Sequence, residues 1–148
     1  MGLIDTAEAT KISGFEDMSP REALAALLVA GARADGSVSP LEANRIEHGL
    51  ASMALFRGCS HDALQSMFGA VVERIKAHGS DTVARAAALA IPTELRGTAF
   101  AMAIDLLLAD GRTRVKEERF AKELQMMLGI DSDTAAQVVG VLALKNAG

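Results

Sequence analysis

The tripeptide Ala-Asp-Gly occurs twice, each time closing an apolar run of helical spacing, and this recurrence limits the fold more than any other feature of the chain. The first copy reads Ala34-Asp35-Gly36-Ser37-Val38-Ser39-Pro40-Leu41-Glu42, and the second Ala109-Asp110-Gly111-Arg112-Thr113-Arg114-Val115-Lys116-Glu117. In each, a Glu follows seven residues after the Asp, and the copies stand 75 positions apart in a chain of 148. A glycine placed just beyond a periodic apolar run is a helix stop, because it adopts the left-handed conformation that ends one. The chain therefore reads as a helix–turn–helix pattern written twice.

The segments between these turns have the same character. Ser19-Pro20-Arg21-Glu22 is a helix start, with a capping hydroxyl, proline at the first helical position and Glu three residues after the cap. The helix runs through Leu24, Leu27, Leu28 and Ala32 and stops at Gly36. Ser39-Pro40-Leu41-Glu42 opens a second helix with the stripe Ile46, Leu50, Met53 and Ala54, ended by Gly58. Ser60-His61-Asp62 starts a third, with Leu64, Met67, Phe68, Val71, Val72 and Ile75 inward, broken at His78-Gly79-Ser80-Asp81. Thr82–Ile91 is a short Ala-rich helix closed by Pro92. Thr93-Glu94 opens a helix ending at Asp110-Gly111, and the next carries Phe120, Leu124, Met127 and Leu128 before Gly129. Asp131-Ser132-Asp133 caps the last, with Ala135, Val138, Val139 and Leu142 inward. No segment alternates with period two, so the expectation is an all-α domain of about seven helices. Residues 1–18 read as an N-terminal arm with one short helix near Asp5–Ile12. Residues 19–148 read as a single domain whose repeat halves, two three-helix units joined by the short Thr82–Ile91 helix, span about 19–78 and 93–148.

Composition removes several classes of function. The longest nearly unbroken apolar run, Ala23–Ala32, has ten residues, whereas spanning a bilayer takes about 20. Met1–Met18 lacks the basic start and apolar block of a signal peptide, so a cytoplasmic protein is expected. One cysteine, Cys59, excludes an internal disulfide and a Cys-rich zinc site. A formal charge of −4, five Phe, and no Trp or Tyr supply neither the basic face nor the stacking platform that nucleic acid selects.

The Asp-Gly-x₅-Glu pattern matches the second half of a calcium-binding EF-hand loop. The first half fails: its acidic positions hold Gly31 and Arg33 in one copy, and Leu106 and Leu108 in the other. An orthodox EF-hand is excluded. The apolar helix, the Ala-Asp-Gly turn, the Glu-bearing next helix and the pseudo-repeat, from about Pro20 to Lys145, resemble the TerB-like (tellurite resistance protein B) family. Met102–Gly111, Glu117-Glu118 and Leu128-Gly129-Ile130 carry the resemblance best. It implies an all-helical fold of two related halves in a cytosolic, non-enzymatic protein of a tellurite or chemical-stress response. It also implies acidic turns that bind a divalent cation, with Asp35, Glu42, Asp110 and Glu117 or Glu118 as ligands. The stripe Ile46, Leu50, Met53 meets Phe120, Leu124, Met127 at an offset of 74 against 75 for the Asp-Gly turns, so the second turn holds one residue fewer, and Glu117 or Glu118 stands as the counterpart of Glu42. Ca²⁺, Mg²⁺, Mn²⁺ and Zn²⁺ are not distinguished by these residues.

Helix capping accounts for the same residues without a metal. Ser39, Pro40 and Glu42 form a capping box, and Asp before Gly is ordinary turn usage. The second turn is basic, with Arg112, Arg114 and Lys116, which disfavours a cation at Asp110. A metal-independent module that docks a protein partner on an exposed helix face is therefore the alternative. No nucleophile–base pair or phosphate-binding glycine loop occurs. Cys59 and His61 read as a small buried residue and a surface imidazole. Met126-Met127 reads as core filling, and the charges from Glu117 to Glu123 as a solvated face.

Overall fold

A computed structural model describes residues 18–32, 38–110 and 114–147, with side chains at all of these but 110 and 114–118. The described residues form seven α-helices: α1 (Pro20–Ala32), α2 (Pro40–Ala51), α3 (His61–His78), α4 (Ser80–Ala90), α5 (Thr93–Asp110), α6 (Arg114–Leu128) and α7 (Ser132–Lys145). A single 3-10 turn, Ala54–Phe56, lies between α2 and α3. No strand occurs among the described residues, so the all-α expectation holds. The expected stop at Gly36 and the short helix near Asp5–Ile12 lie outside the described residues.

The fold is built around α1. Every residue from Ala23 to Gly31 is buried, because the helix is apolar on all sides and only a fully surrounded position suits such a surface. Four helices, α2, α3, α4 and α5, pack on it, and its most extensive contact is with α4. The sequence reading made that Ala-rich segment a connector between halves; it is instead the main partner of the central helix. Val83, Ala84, Ala87 and Ala88 fall on one face and are all buried. Small side chains on both helices let their backbones approach closely. Gly79, with φ of 89°, is the one residue between α3 and α4. That backbone region is nearly reserved for glycine, so the tight reversal seating α4 beside α3 and on α1 is set at this position.

Local signals placed most helix ends. Ser19, Ser39, Ser60 and Asp131 each accept a hydrogen bond from the backbone N–H three residues on. Gly129, with φ of 66°, ends α6 as the Schellman motif requires: its N–H donates to the Met126 carbonyl and that of Ile130 to the Gln125 carbonyl. At α1 the expected box is half made, since the Glu22 carboxylate turns to Arg74 at 3.7 Å.

Two elements differ from the reading. Helix α2 ends at Ala51, not at Gly58, because Ser52 caps it: its N–H bonds the His48 carbonyl and its hydroxyl the Gly49 carbonyl at 2.7 Å. The chain then turns so that Phe56 becomes buried. Arg21 holds this turn, donating to the Leu55 carbonyl at 2.7 Å and stacking its guanidinium 5.9 Å from the Phe56 ring centre. On α7, Val139 faces outward while Ala135 is buried and Val138 and Leu142 are half-buried. Met127 joins the core periphery as expected, but Met126 is 81 % exposed.

The α1–α4 contact leaves no room for growth. Ala87→Leu is expected to lower unfolding stability by about 1–3 kcal/mol in urea titrations through overpacking. Gly69→Ala, where an added Cβ meets nothing within 4 Å, is expected to raise it by about 0.5–1 kcal/mol. A pH effect is expected at Asp131, whose carboxylate accepts from the Thr134 N–H at 2.7 Å and the Thr134 hydroxyl at 3.1 Å. Chiefly the backbone bond holds this carboxyl below its usual range. A depressed carboxyl stabilises the fold above its unfolded-chain value, and that contribution is lost as pH falls through the folded value. The wild-type melting temperature should therefore fall more steeply below about pH 4 than that of Asp131→Asn.

Candidate functional site

The site foreseen from the repeated turns lies where α1 and α5 end and α2 and α6 begin. Of its five expected acidic residues, only Glu42 has a described side chain. Asp35 lies outside the described residues, and Asp110, Glu117 and Glu118 lie on helical backbone whose side chains are not described.

Glu42 is held by the capping box that the sequence foretold. Its N–H donates to the Ser39 hydroxyl at 3.1 Å, and its Oε1 accepts from the Ser39 N–H at 3.2 Å. Glu42 is half-buried and lines an apolar cavity of about 20 Å³. Its walls come from four helices, including Leu27 and Leu28 of α1, Ile46 of α2, Leu107 of α5 and Phe120 of α6. That volume admits about one water molecule. Among the described residues, Glu42 is the only charged one in its lining.

Two contacts bring these helix ends together. The Phe120 ring lies against Gly31 so closely that a Cβ on Gly31 would sit 2.5 Å from the ring tip. Glycine inside an apolar helical run, near the helix end, was the signal available for this contact, though not for its partner. Farther along, the Met102 methyl comes within 2.9 Å of a Cβ added at Gly49, packing α2 on α5. The second contact is polar: Arg45 Nη1 donates to the Ala109 carbonyl at 3.3 Å. Arg45 belongs to the helix that follows the first Asp-Gly in sequence, and Ala109 to the last residues of the helix that precedes the second, so the bond ties α2 to the end of α5. A guanidinium on a carbonyl at a helix C-terminus is favourable to the helix dipole. Arg45 is an ordinary surface position in the sequence, and nothing local marks it.

The other candidate groups are engaged elsewhere. Asp105 accepts from Lys145 Nζ at 3.1 Å and Asn146 Nδ2 at 2.8 Å, latching the end of α7 to α5. His61 is exposed and pairs through Nδ1 with Glu47, whose other oxygen accepts from Gln65 at 2.9 Å, so Glu47 joins α2 to α3. Cys59 is half-buried against the core. Among the described residues, no three His, Cys, Asp or Glu side chains cluster as a metal site would require. Nor is any helix long and apolar enough to cross a membrane among the described residues.

An all-α domain centred on one buried helix, with paired helix ends at a single pole, is the class of protein these observations define. The chain belongs to the family of the tellurite resistance protein TerB, whose model matches residues 21–139, most of its length. Comparisons with curated proteins and with solved structures give no match.

The capping geometry separates two properties of Glu42. Ser39→Ala removes the hydroxyl acceptor and should cost about 1 kcal/mol in a denaturant titration. Glu42→Gln keeps an oxygen for the Ser39 N–H, as Gln serves at this position of the box, and should change stability by only a few tenths of a kcal/mol.

Proposed function

We propose that this TerB-family protein is non-catalytic, acts in a tellurite or chemical-stress response, and binds a divalent cation weakly through its acidic turns. The observation that carries this reading is the Arg45–Ala109 bond, which ties the helix after one Asp-Gly turn to the helix before the other. That bond supports a site that draws on both halves of the chain. A hard cation takes about six to eight oxygens. The described side chains supply one carboxylate, Glu42, with one oxygen already serving the Ser39 N–H. These donors alone do not hold such an ion, so Asp35 and the acids of the second turn, with turn carbonyls and water, would have to complete the set. The first turn is the stronger half, because Arg112 and Lys116 flank the second and repel a cation.

The formed capping box favours a second reading, in which Glu42 serves only the helix start and the domain is a metal-independent module for a protein partner. The two readings part on one variant. Chelator-stripped protein is melted by circular dichroism during titration with Ca²⁺, Mg²⁺, Mn²⁺ and Zn²⁺. A cation that binds only the native state raises stability by about 2.7 kcal/mol at a hundredfold excess over Kd, a shift of several degrees for a domain of this size. The metal reading expects that rise in the wild type, and its loss in Glu42→Gln and in Asp35→Ala with Asp110→Ala. No rise with any cation up to millimolar concentration, or an equal rise in Glu42→Gln, would remove Glu42 from the ligand set and leave it as a cap.

A further inference from the structure

Helix α7 is attached to the fold by less than any other described helix. Each of the others packs extensively on at least two neighbours, whereas the one extensive contact of α7 is with α5. It gives the fully buried core a single residue, Ala135. Val138, Leu142 and the capping Asn146 are half-buried, and the remaining residues of the helix are exposed. These four positions, spaced by three and four, make one narrow seam. So little burial leaves a segment free to open without the rest of the fold.

What fastens the helix is polar and sits at its far end. Asp105 is the one charged residue of α5 between Arg96 and Asp110. Both of its oxygens accept from the end of α7. Oδ1 takes Lys145 Nζ at 3.1 Å and Asn146 Nδ2 at 2.8 Å, and Oδ2 takes Lys145 Nζ at 3.3 Å. The Asn146 amide also donates to the Leu142 carbonyl at 2.9 Å, and the Asn146 backbone N–H donates to the same carbonyl at 3.0 Å. The residue that closes the helix is thus the residue that ties it down, so the helix end and its latch are made or lost together. At the near end, only Gly129, Ile130 and Asp131 join α7 to α6.

We infer that α7 is a releasable strap on α5, which opens as one unit about the Gly129 turn while α1–α6 stay folded. The Asp105 latch sets how often it opens. Opening uncovers the side of α5 beneath the strap, and from Ala99 to Ala109 every residue of that helix but Asp105 is apolar. The strap therefore controls access to an apolar face, and the lone carboxylate of that run is its catch.

Native-state hydrogen exchange of the full chain, read amide by amide by NMR, tests this. The expected result is one common protection factor from Ala136 to Leu144, at least about a hundredfold below that of α1. Asp105→Ala should lower it about fivefold to tenfold, and Lys145→Ala with Asn146→Ala should do the same without altering α5. Ala87→Leu disturbs the α1–α4 contact, which is present whether the strap is open or closed. That variant should lower the protection of α1 and leave that of α7 unchanged. Protection that falls steadily toward Lys145 is fraying of a chain end and overturns the inference. So does equal protection in α7 and α1, a loss in α7 on Ala87→Leu, or an unchanged α7 in either latch variant.

Discussion

Burial of α1 on every side is the constraint from which the rest of the architecture follows. Full burial of a single leucine or valine contributes about 1.5–3 kcal/mol, and α1 buries Leu24, Leu27, Leu28 and Val29 along with its alanines. Collecting that stabilisation takes neighbours all round, and the alanines decide how near they come. Helix α4 meets this need with a face of Val83, Ala84, Ala87 and Ala88, delivered by the one-residue reversal at Gly79. Helix α5 takes another side with Ala99, Phe100, Ala103 and Ile104 as its buried residues.

The placement of the candidate site is a consequence of that packing. Once α1 and α5 lie against each other, their C-terminal ends and the starts of α2 and α6 converge. Phe120 fills the space beside Gly31, and Arg45 reaches the carbonyl end of α5. The cavity that the described residues leave between them is too small and too apolar to be a ligand pocket. Glu42 has its carboxylate bound to the helix start and is one of the residues that line the cavity.

The two halves are not equivalent in this arrangement, although the first helix of each packs on the two that follow it. Helix α1 is enclosed, whereas α5 is only partly buried and α7 keeps an apolar outer face. That asymmetry has a source in α4, which among the described helices packs most extensively on α1. Similar local patterns thus end in different burial because one half gains a cover and the other does not.

Helix existence, the capping box at Ser39–Glu42 and the Gly129 ending were legible in the chain because each rests on groups within a few residues of one another. The family resemblance was legible for the same reason, its motifs being short and contiguous. What escaped depended on residues far apart. The reading made α4 a connector because an alanine face gives weak periodicity and shows its value only against another small-residue helix. It ran α2 on through Met53 because the inward turn of Phe56 depends on Arg21, more than thirty residues away. It sent Val139 inward because an apolar helix does not disclose which of its sides is covered. By itself, then, the sequence determined the helical class, most boundaries and the repeated acidic turns, all products of local hydrogen bonding and backbone sterics. Only the tertiary structure decided which helix is central, that Arg45 joins α2 to the end of α5, and which apolar face is left to water. Those outcomes are set by competition among many apolar surfaces for the same buried volume, and no local stretch of the chain encodes its result.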